Sequence, residues 1–275
     1  MHLCGVTVDR RDAPAVAFII TAVAIVFGRA LIAPGRLLTS PSSDIVAQYY
    51  PWRVTLTTAL SEGRLPLWST AEFGGAPFLA NSQVGTFLLL DRALAVVVSE
   101  AYAVTLALFF AVVAAGLGTY LFTRRGGVSR TGALLAGLSF ALSTAVVGRI
   151  YAGHYSIVVA VGLLPLAYLC TDHALDTGRL LPAVAAGVVL AGCALAGQVQ
   201  YPYLFALALG GYALVVAVSD RDSTESRRRR VTAVVRRLGR VFVPMGVTAV
   251  TLAAIQLLPT LYFSRHSTRA DGLTF

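Results

Sequence analysis

Long apolar runs alternate along this chain with short polar connections that hold most of its arginines. Several runs approach the ~20 residues that a helix needs to cross the hydrocarbon of a bilayer. The pattern therefore predicts an all-α, polytopic transmembrane bundle of about seven spans within a single domain, residues 1–275. The predicted spans are Pro14–Ile32, Tyr102–Phe122, Thr131–Gly148, Tyr155–Cys170, Leu180–Gly197, Tyr203–Val218 and Val241–Phe263.

Composition excludes several other classes of protein. Hydrophobic residues make up 57 % of the chain and charged residues 13 %, with a mean hydropathy of +0.75. Soluble domains are nearer ~25 % charged. The runs do not alternate between apolar and polar residues, which excludes outer-membrane barrel strands. The net charge of +9 comes from arginines in short loops. That distribution sets membrane topology and argues against a nucleic-acid partner.

One further apolar segment, Val84–Val98, is short and carries Asp91 and Arg92 at its middle. A charge at mid-bilayer costs at least ~2.5 kcal/mol on insertion scales, so we expect this segment to lie along the interface or to re-enter. The positive-inside rule then gives a multi-pass protein of the cytoplasmic membrane with its amino terminus inside. Residues 34–100 form one extracytoplasmic loop. The basic loop 219–240 lies inside, as an amphipathic helix on anionic lipid or as a docking site for a partner.

The extracytoplasmic loop has a composition of its own, with aromatic residues, prolines and a glycine pair among acids, amides and arginines. Pro66 and Gly74–Gly75 break any long helix, so we expect a folded loop of short or re-entrant helices. Long structured loops are often functional. Trp52 and Trp68 have two interpretations, anchoring at the membrane interface or stacking against a substrate.

Asp44 is the residue of this loop that stands out. It follows the first predicted span closely, so its carboxylate would reach both water and a lipid headgroup at the outer face. The run Ser42–Asp44 has a simpler interpretation as a helix N-cap that accepts backbone N–H bonds. If the segment is helical, Gln48 lies one turn later on the same face.

Other polar residues sit at the outer ends of predicted spans: Arg149, His154, Gln198 and Gln200. Such residues are often merely solvated, and a lone histidine is more often structural than a ligand. The predicted topology nevertheless places all four on the same side as Asp44. No metal-ligand spacing, phosphate-binding loop or dinucleotide fingerprint occurs. Gly116–Gly118 and Gly210–Gly211 are expected to serve helix packing.

Taken together, the loop and span-end motifs resemble the bacterial YfhO family, which are membrane proteins of the GT-C glycosyltransferase type. The segments that carry the resemblance are Ser43–Asp44, Gln48–Pro51, Gly63–Trp68, Phe73–Pro77, Asn81–Gln83, Ala152–His154, Leu163–Leu166, Gly197–Gln200 and Ile255–Pro259.

The resemblance implies transfer of a sugar from a polyprenyl-phosphate donor to a glycan, lipid or protein acceptor outside the cytoplasmic membrane. Asp44 matches the usual GT-C catalytic acid, as a general base or as the ligand of a divalent cation such as Mg²⁺ or Mn²⁺. Arg53 and Arg149 would bind the carrier phosphate. The remaining implied substrate-binding residues are Gln48, Gln83, His154, Gln198 and Gln200.

The chain departs from this family in two respects. Gln198 stands where family members often carry a histidine, so a proton-transfer role at that position is not expected. Family members are also longer, so the chain is expected to be truncated. Two non-enzymatic alternatives remain open: a transporter or flippase for a lipid-linked precursor, and an accessory subunit of envelope assembly. A transporter would favour ionisable residues or broken helices at mid-membrane.

Overall fold

The computed structural model describes residues 2–3, 6–7, 9–72, 74–219 and 227–267. These residues form a helical bundle, with one antiparallel pair of two-residue strands, β1 (His2–Leu3) and β2 (Val6–Thr7). The α-helices are α1 (Ala13–Leu31), α2 (Tyr50–Ser61), α3 (Leu89–Val97), α4 (Glu100–Arg125), α5 (Arg130–Ala141), α6 (Thr144–Ala152), α7 (Tyr155–Thr177), α8 (Leu180–Leu195), α9 (Gln200–Ser219) and α10 (Arg227–Ser264).

The prediction of an all-α polytopic bundle is confirmed. Within the described residues, six helical segments are long and apolar enough to cross a membrane, and α8 adds a shorter apolar helix of 16 residues. Large apolar side chains such as Leu135, Val215 and Leu258 are more than half exposed on these helices. Helix faces that expose leucine and valine along their whole length are expected where a helix contacts lipid.

Consecutive long helices run in alternating directions, so the bundle has two chemically different ends. We call one the loop end, which carries residues 32–99 and the turns 153–154 and 196–199. The other is the arginine end, which carries the start of α1, the turns 126–129 and 178–179, and the start of α10. At the arginine end the hydroxyl of Tyr120 donates to Asp12 over 2.7 Å, which ties α4 to the start of α1.

Small residues bring the helix backbones together. A Cβ on Gly162 of α7 would lie 2.4 Å from the carbonyl oxygen of Ala111 in α4. Gly116 and Gly137 make an equally close contact between α4 and α5. The expected packing role is therefore confirmed for Gly116, whereas Gly210 and Gly211 have open space around them and make no such contact. Close backbone approach through glycine is the usual means of association in a bilayer.

Two predicted segments differ from the structure. The third apolar run is broken into α5 and α6 because Ser143 adopts extended backbone angles (φ −61°, ψ 150°) and restarts the helix. The basic segment 219–240 was expected to form a separate amphipathic helix inside, and its residues 220–226 lie outside the described part of the chain. From Arg227 it continues without interruption into the last apolar run as α10, a helix of 38 residues. The arginines thus extend the last long helix.

The segment Val84–Val98 does not form a spanning helix, in agreement with the prediction. It contains a short 3₁₀ turn, Ser82–Val84, and α3, whose nine residues cover only ~14 Å. Asp91 is buried and forms an ion pair with Arg53 of α2. The charge in this apolar segment is therefore tolerated because it has a partner inside the loop.

Candidate functional site

Two glycine corners dock the first loop onto the bundle at the loop end. Gly153, between α6 and α7, has φ +82°, and a Cβ there would lie 2.7 Å from the backbone nitrogens of Asp44 and Ile45. Gly197, after α8, has φ +113°, and a Cβ there would lie 2.8 Å from the Cα of Gln83. Only glycine combines this backbone conformation with such close contact. Gly153 therefore brings the turn 153–154 against Asp44, and Gly197 brings the turn 196–199 against Gln83.

Asp44, His154 and Arg149 form a chain of polar groups at the first corner. The Asp44 carboxylate (Oδ2) lies 3.6 Å from Nε2 of His154, and Arg149 Nη1 lies 3.4 Å from the other ring nitrogen, Nδ1. Because a guanidinium can only donate, Nδ1 accepts in this arrangement, and the ring proton is assigned to Nε2, the nitrogen nearer Asp44. The 3.6 Å contact is longer than a hydrogen bond. The side chains of Asp44 and His154 are 46 % and 38 % exposed, so substrate can reach the pair.

The interpretation of Asp44 as a helix cap is wrong. A π-helical turn, Ile45–Tyr49, begins directly after Asp44, and the carboxylate accepts no capping hydrogen bond from it. The hydroxyl of Ser43 instead bonds to Thr39. π-Helical turns are rare and occur frequently at functional sites. The carboxylate of Asp44 is therefore free for another purpose.

The π-helical turn also points Tyr49 into the bundle. The Tyr49 hydroxyl lies 2.8 Å from Oγ of Ser156 and bonds to the side chain of Gln198. Burial raises the pKa of Tyr49 above its ordinary value of 10, while these two hydrogen bonds act in the opposite direction. Tyr49 thus keeps its proton at neutral pH and anchors Gln198 beneath the Asp44 turn. Tyr49 lies in the Gln48–Pro51 motif, but nothing in the sequence indicated a role for its side chain.

A cleft of about 650 Å³ opens beside this turn. Gln48 and Gln83, both predicted to bind substrate, line it together. Trp52 adds a largely buried aromatic face, and its indole N–H donates to Glu72, a second carboxylate on the cleft wall. Amides, a carboxylate and an aromatic ring are the groups that hold sugar hydroxyls and sugar faces. Glu72 was not among the predicted residues.

Arg53 is not placed to bind a substrate phosphate. Its side chain is 1 % exposed and forms ion pairs with Asp91 and with Glu100, the latter over 3.2 Å. The guanidinium also lies 5.1 Å from the ring centre of Tyr155. These partners fix α2 to α3, α4 and α7. The predicted role in phosphate binding is corrected to a structural one.

Gln200 and Trp68 lie apart from the pair. Gln200 is exposed at the first residue of α9, and its side chain forms no hydrogen bond with the described residues. Trp68 is 60 % exposed and packs its indole against the backbone of Gly75. An exposed aromatic ring at this end of the bundle is consistent with either of its two interpretations.

The described residues contain no cluster of three or more His, Cys, Asp or Glu side chains that would hold a metal ion by itself. Asp44 provides one carboxylate. Mg²⁺ commonly takes one or two carboxylates from a protein and completes its shell with other ligands and water, so Asp44 could supply one such ligand.

Comparison of the chain with protein-family models, curated proteins and solved structures found no match. Fold and site together define a multi-pass α-helical membrane protein with a polar, partly exposed site at one end of the bundle.

Proposed function

We propose that this chain is a membrane glycosyltransferase of the GT-C type, as its resemblance to the YfhO family implies. It would transfer a sugar from a polyprenyl-phosphate donor to an acceptor of the cell envelope. The observation that carries the proposal is the pairing of Asp44 with His154 at the loop end, directly before the turn whose Gln48 lines the cleft. An acid that follows the first span, lacks a capping role and is oriented by a histidine is suited to general-base chemistry.

The orientation of the bundle supports this assignment. The arginine end holds the starts of α1 and α10, together with Arg124, Arg125 and Arg130 around one turn and Arg179 in the other. The positive-inside rule therefore assigns this end to the cytoplasm. The loop end then faces outwards from the cytoplasmic membrane. Nucleotide sugars are absent from that side, so a transferase working there needs a lipid-carried donor.

Each residue has a defined step in this mechanism. Asp44 takes the proton of the acceptor hydroxyl, whose oxygen forms a bond to the anomeric carbon of the donor sugar. The bond from that carbon to the phosphate oxygen breaks, and the electron pair leaves with the polyprenyl phosphate. The N–H of His154 orients the carboxylate, and Arg149 stabilises the departing phosphate. A divalent cation bound by Asp44 would instead neutralise the phosphate charge.

The cleft would hold the sugar. Gln48 and Gln83 offer amide donors and acceptors to its hydroxyls, and Trp52 offers a ring face. The polar groups collect at the loop end and not at mid-membrane, which favours surface chemistry over a transport pathway.

The proposal is tested by sugar transfer from polyprenyl-phosphate donors in membranes that contain the unaltered chain, Asp44→Asn or Glu62→Gln. Glu62 is an exposed acid of the same loop, paired only with Arg64 among the described residues. We expect loss of transfer in Asp44→Asn and normal transfer in Glu62→Gln. Equal transfer by both variants would remove Asp44 from the mechanism. Absence of transfer by the unaltered chain with every donor would favour the accessory or transporter alternative.

A further inference from the structure

The arginine end contains a second cleft, remote from the candidate site. Its volume is about 810 Å³, and it lies between the end of α7 and the beginning of α10. Five arginines line it: Arg228, Arg229, Arg236, Arg237 and Arg240. We propose that this cleft binds the phosphate headgroup of an anionic phospholipid.

The arginines form a continuous stripe on one helix face. Arg229, Arg236 and Arg240 are separated by seven and four residues, so their side chains emerge on the same side of α10. All three are exposed, and none forms an ion pair with a described residue. Arg237 donates through Nε to the carbonyl oxygen of Leu175 over 3.1 Å, which fixes α10 against the end of α7.

The described residues leave the cleft positively charged. One acid, Asp176, lines it, and this carboxylate pairs with Arg125 of α4 over 2.8 Å. The arginine stripe is therefore not neutralised by that acid. A guanidinium binds phosphate oxygens through paired N–H donors, so a phosphate is the anion that this cleft fits best.

The walls distinguish a lipid from a free phosphate. Ala174, Leu175 and Val241 line the same cleft as the arginines. Val241 directly follows Arg240, the last arginine of α10, so the cleft lies where the charged part of the helix meets its apolar part. A site with arginines on one wall and apolar side chains on another matches the junction between a headgroup and its acyl chains. Basic pockets between spans are known binding sites for anionic lipid headgroups.

The test uses the full chain in detergent, titrated with dioleoyl phosphatidylglycerol or dioleoyl phosphatidylcholine and followed by native mass spectrometry. The variant Arg236→Gln/Arg240→Gln removes two charges from the cleft. The variant Arg10→Gln/Arg11→Gln removes two exposed charges from the same end outside the cleft. We expect the unaltered chain to prefer phosphatidylglycerol. The cleft variant should bind it about thirtyfold more weakly, since each of the two arginines near a membrane surface contributes ~1 kcal/mol. The control variant Arg10→Gln/Arg11→Gln should change binding less than about twofold.

Further experiments test whether charge accounts for the binding and whether something other than a lipid occupies the cleft. Arg236→Lys/Arg240→Lys keeps the charge and should retain most of the phosphatidylglycerol preference. Equal weakening of phosphatidylglycerol binding by Arg236→Gln/Arg240→Gln and by Arg10→Gln/Arg11→Gln would overturn the proposal. Displacement of the lipid by millimolar inorganic phosphate would also overturn it. Binding that appears only after Asp220→Asn/Asp222→Asn would assign the cleft to the chain's own acidic segment and would also overturn it.

Discussion

The backbone of Gly153 lies directly against the backbone nitrogen of Asp44, at a distance that leaves no room for a side chain. This contact joins the turn between α6 and α7 to the start of the π-helical turn. It places His154, the next residue, beside the Asp44 carboxylate. The glycine therefore sets the geometry of the candidate catalytic pair, although it carries no chemistry itself.

Replacement of Gly153 by alanine should damage this geometry. The left-handed backbone costs a non-glycine residue ~1–2 kcal/mol, and the new Cβ would also push Asp44 away. We expect a lower free energy of unfolding by about that amount and a loss of sugar transfer. Gly148→Ala in α6 is the matched control, because that position has open space and no positive φ. Equal stability of the two variants in thermal unfolding would contradict the contact.

The ion pair between Arg53 and Asp91 should be essential for the first loop. Asp91→Asn leaves the buried Arg53 with a weaker set of partners, and breaking a buried pair typically costs 3–5 kcal/mol. We expect a loss of roughly 3 kcal/mol in the free energy of unfolding of the solubilised chain. The exposed pair of Arg64 with Glu62 supplies the comparison, and Arg64→Gln should cost under ~1 kcal/mol.

A double replacement separates charge from packing at the same place. Arg53→Met/Asp91→Leu removes both charges, and Glu100 keeps Arg92 and Thr57 as partners, so the double variant should recover much of the stability that Asp91→Asn loses. A double variant as unstable as the single one would show that the specific hydrogen bonds of the pair, and not its unpaired charge, control stability.

Gln256 in α10 should hold the first loop against the bundle. Its buried side chain donates through Nε2 to the carbonyl oxygen of Leu79 over 3.0 Å, and Thr260 donates to Ala80 over 2.8 Å. Gln256→Leu leaves the Leu79 carbonyl without this donor, which costs ~1–3 kcal/mol when the group stays buried. We expect faster tryptic cleavage after Arg64. The exposed Gln200→Leu should leave the cleavage rate unchanged, and identical rates for both variants would contradict the anchoring role.

The helical spans could be predicted because apolar runs of bilayer length have few other stable structures. The common side of Asp44, His154 and Gln198 could also be predicted, since topology alone fixes which span ends meet. The contact between Asp44 and His154 could not, because it depends on the positive φ of Gly153 in a short turn. A glycine immediately before a span-end histidine was the available signal.

Other features depended on tertiary packing that no local pattern carries. The buried pair of Arg53 and Asp91 joins two short helices that both pack on α4, and no sequence pattern distinguishes this buried arginine from a phosphate ligand. The cap interpretation of Asp44 failed because the segment begins as a π-helical turn. The role of Glu72 in the cleft depends on its contact with Trp52, which spans an irregular part of the loop.

Arg149 should act on the donor phosphate and not on folding. Arg149→Gln removes a cation that would bind the carrier phosphate and stabilise its departure. We therefore expect kcat/KM for the polyprenyl-phosphate sugar to fall about tenfold, through a higher KM and a lower kcat, with normal thermal stability. Arg36→Gln removes an exposed arginine at the same end and should leave kcat/KM unchanged. An equal effect of the two variants on kcat/KM would show that Arg149 contributes only general charge at this end.

The most direct test of the account is a double-mutant cycle on sugar transfer with Asp44→Asn, His154→Asn and their combination. If the two side chains act as one catalytic unit, each single variant should lose at least about a hundredfold in kcat/KM, as is typical for a general base. The double variant should then be little worse than Asp44→Asn alone. Normal transfer by His154→Asn, or losses that simply multiply in the double variant, would contradict the claim that Asp44 and His154 work together.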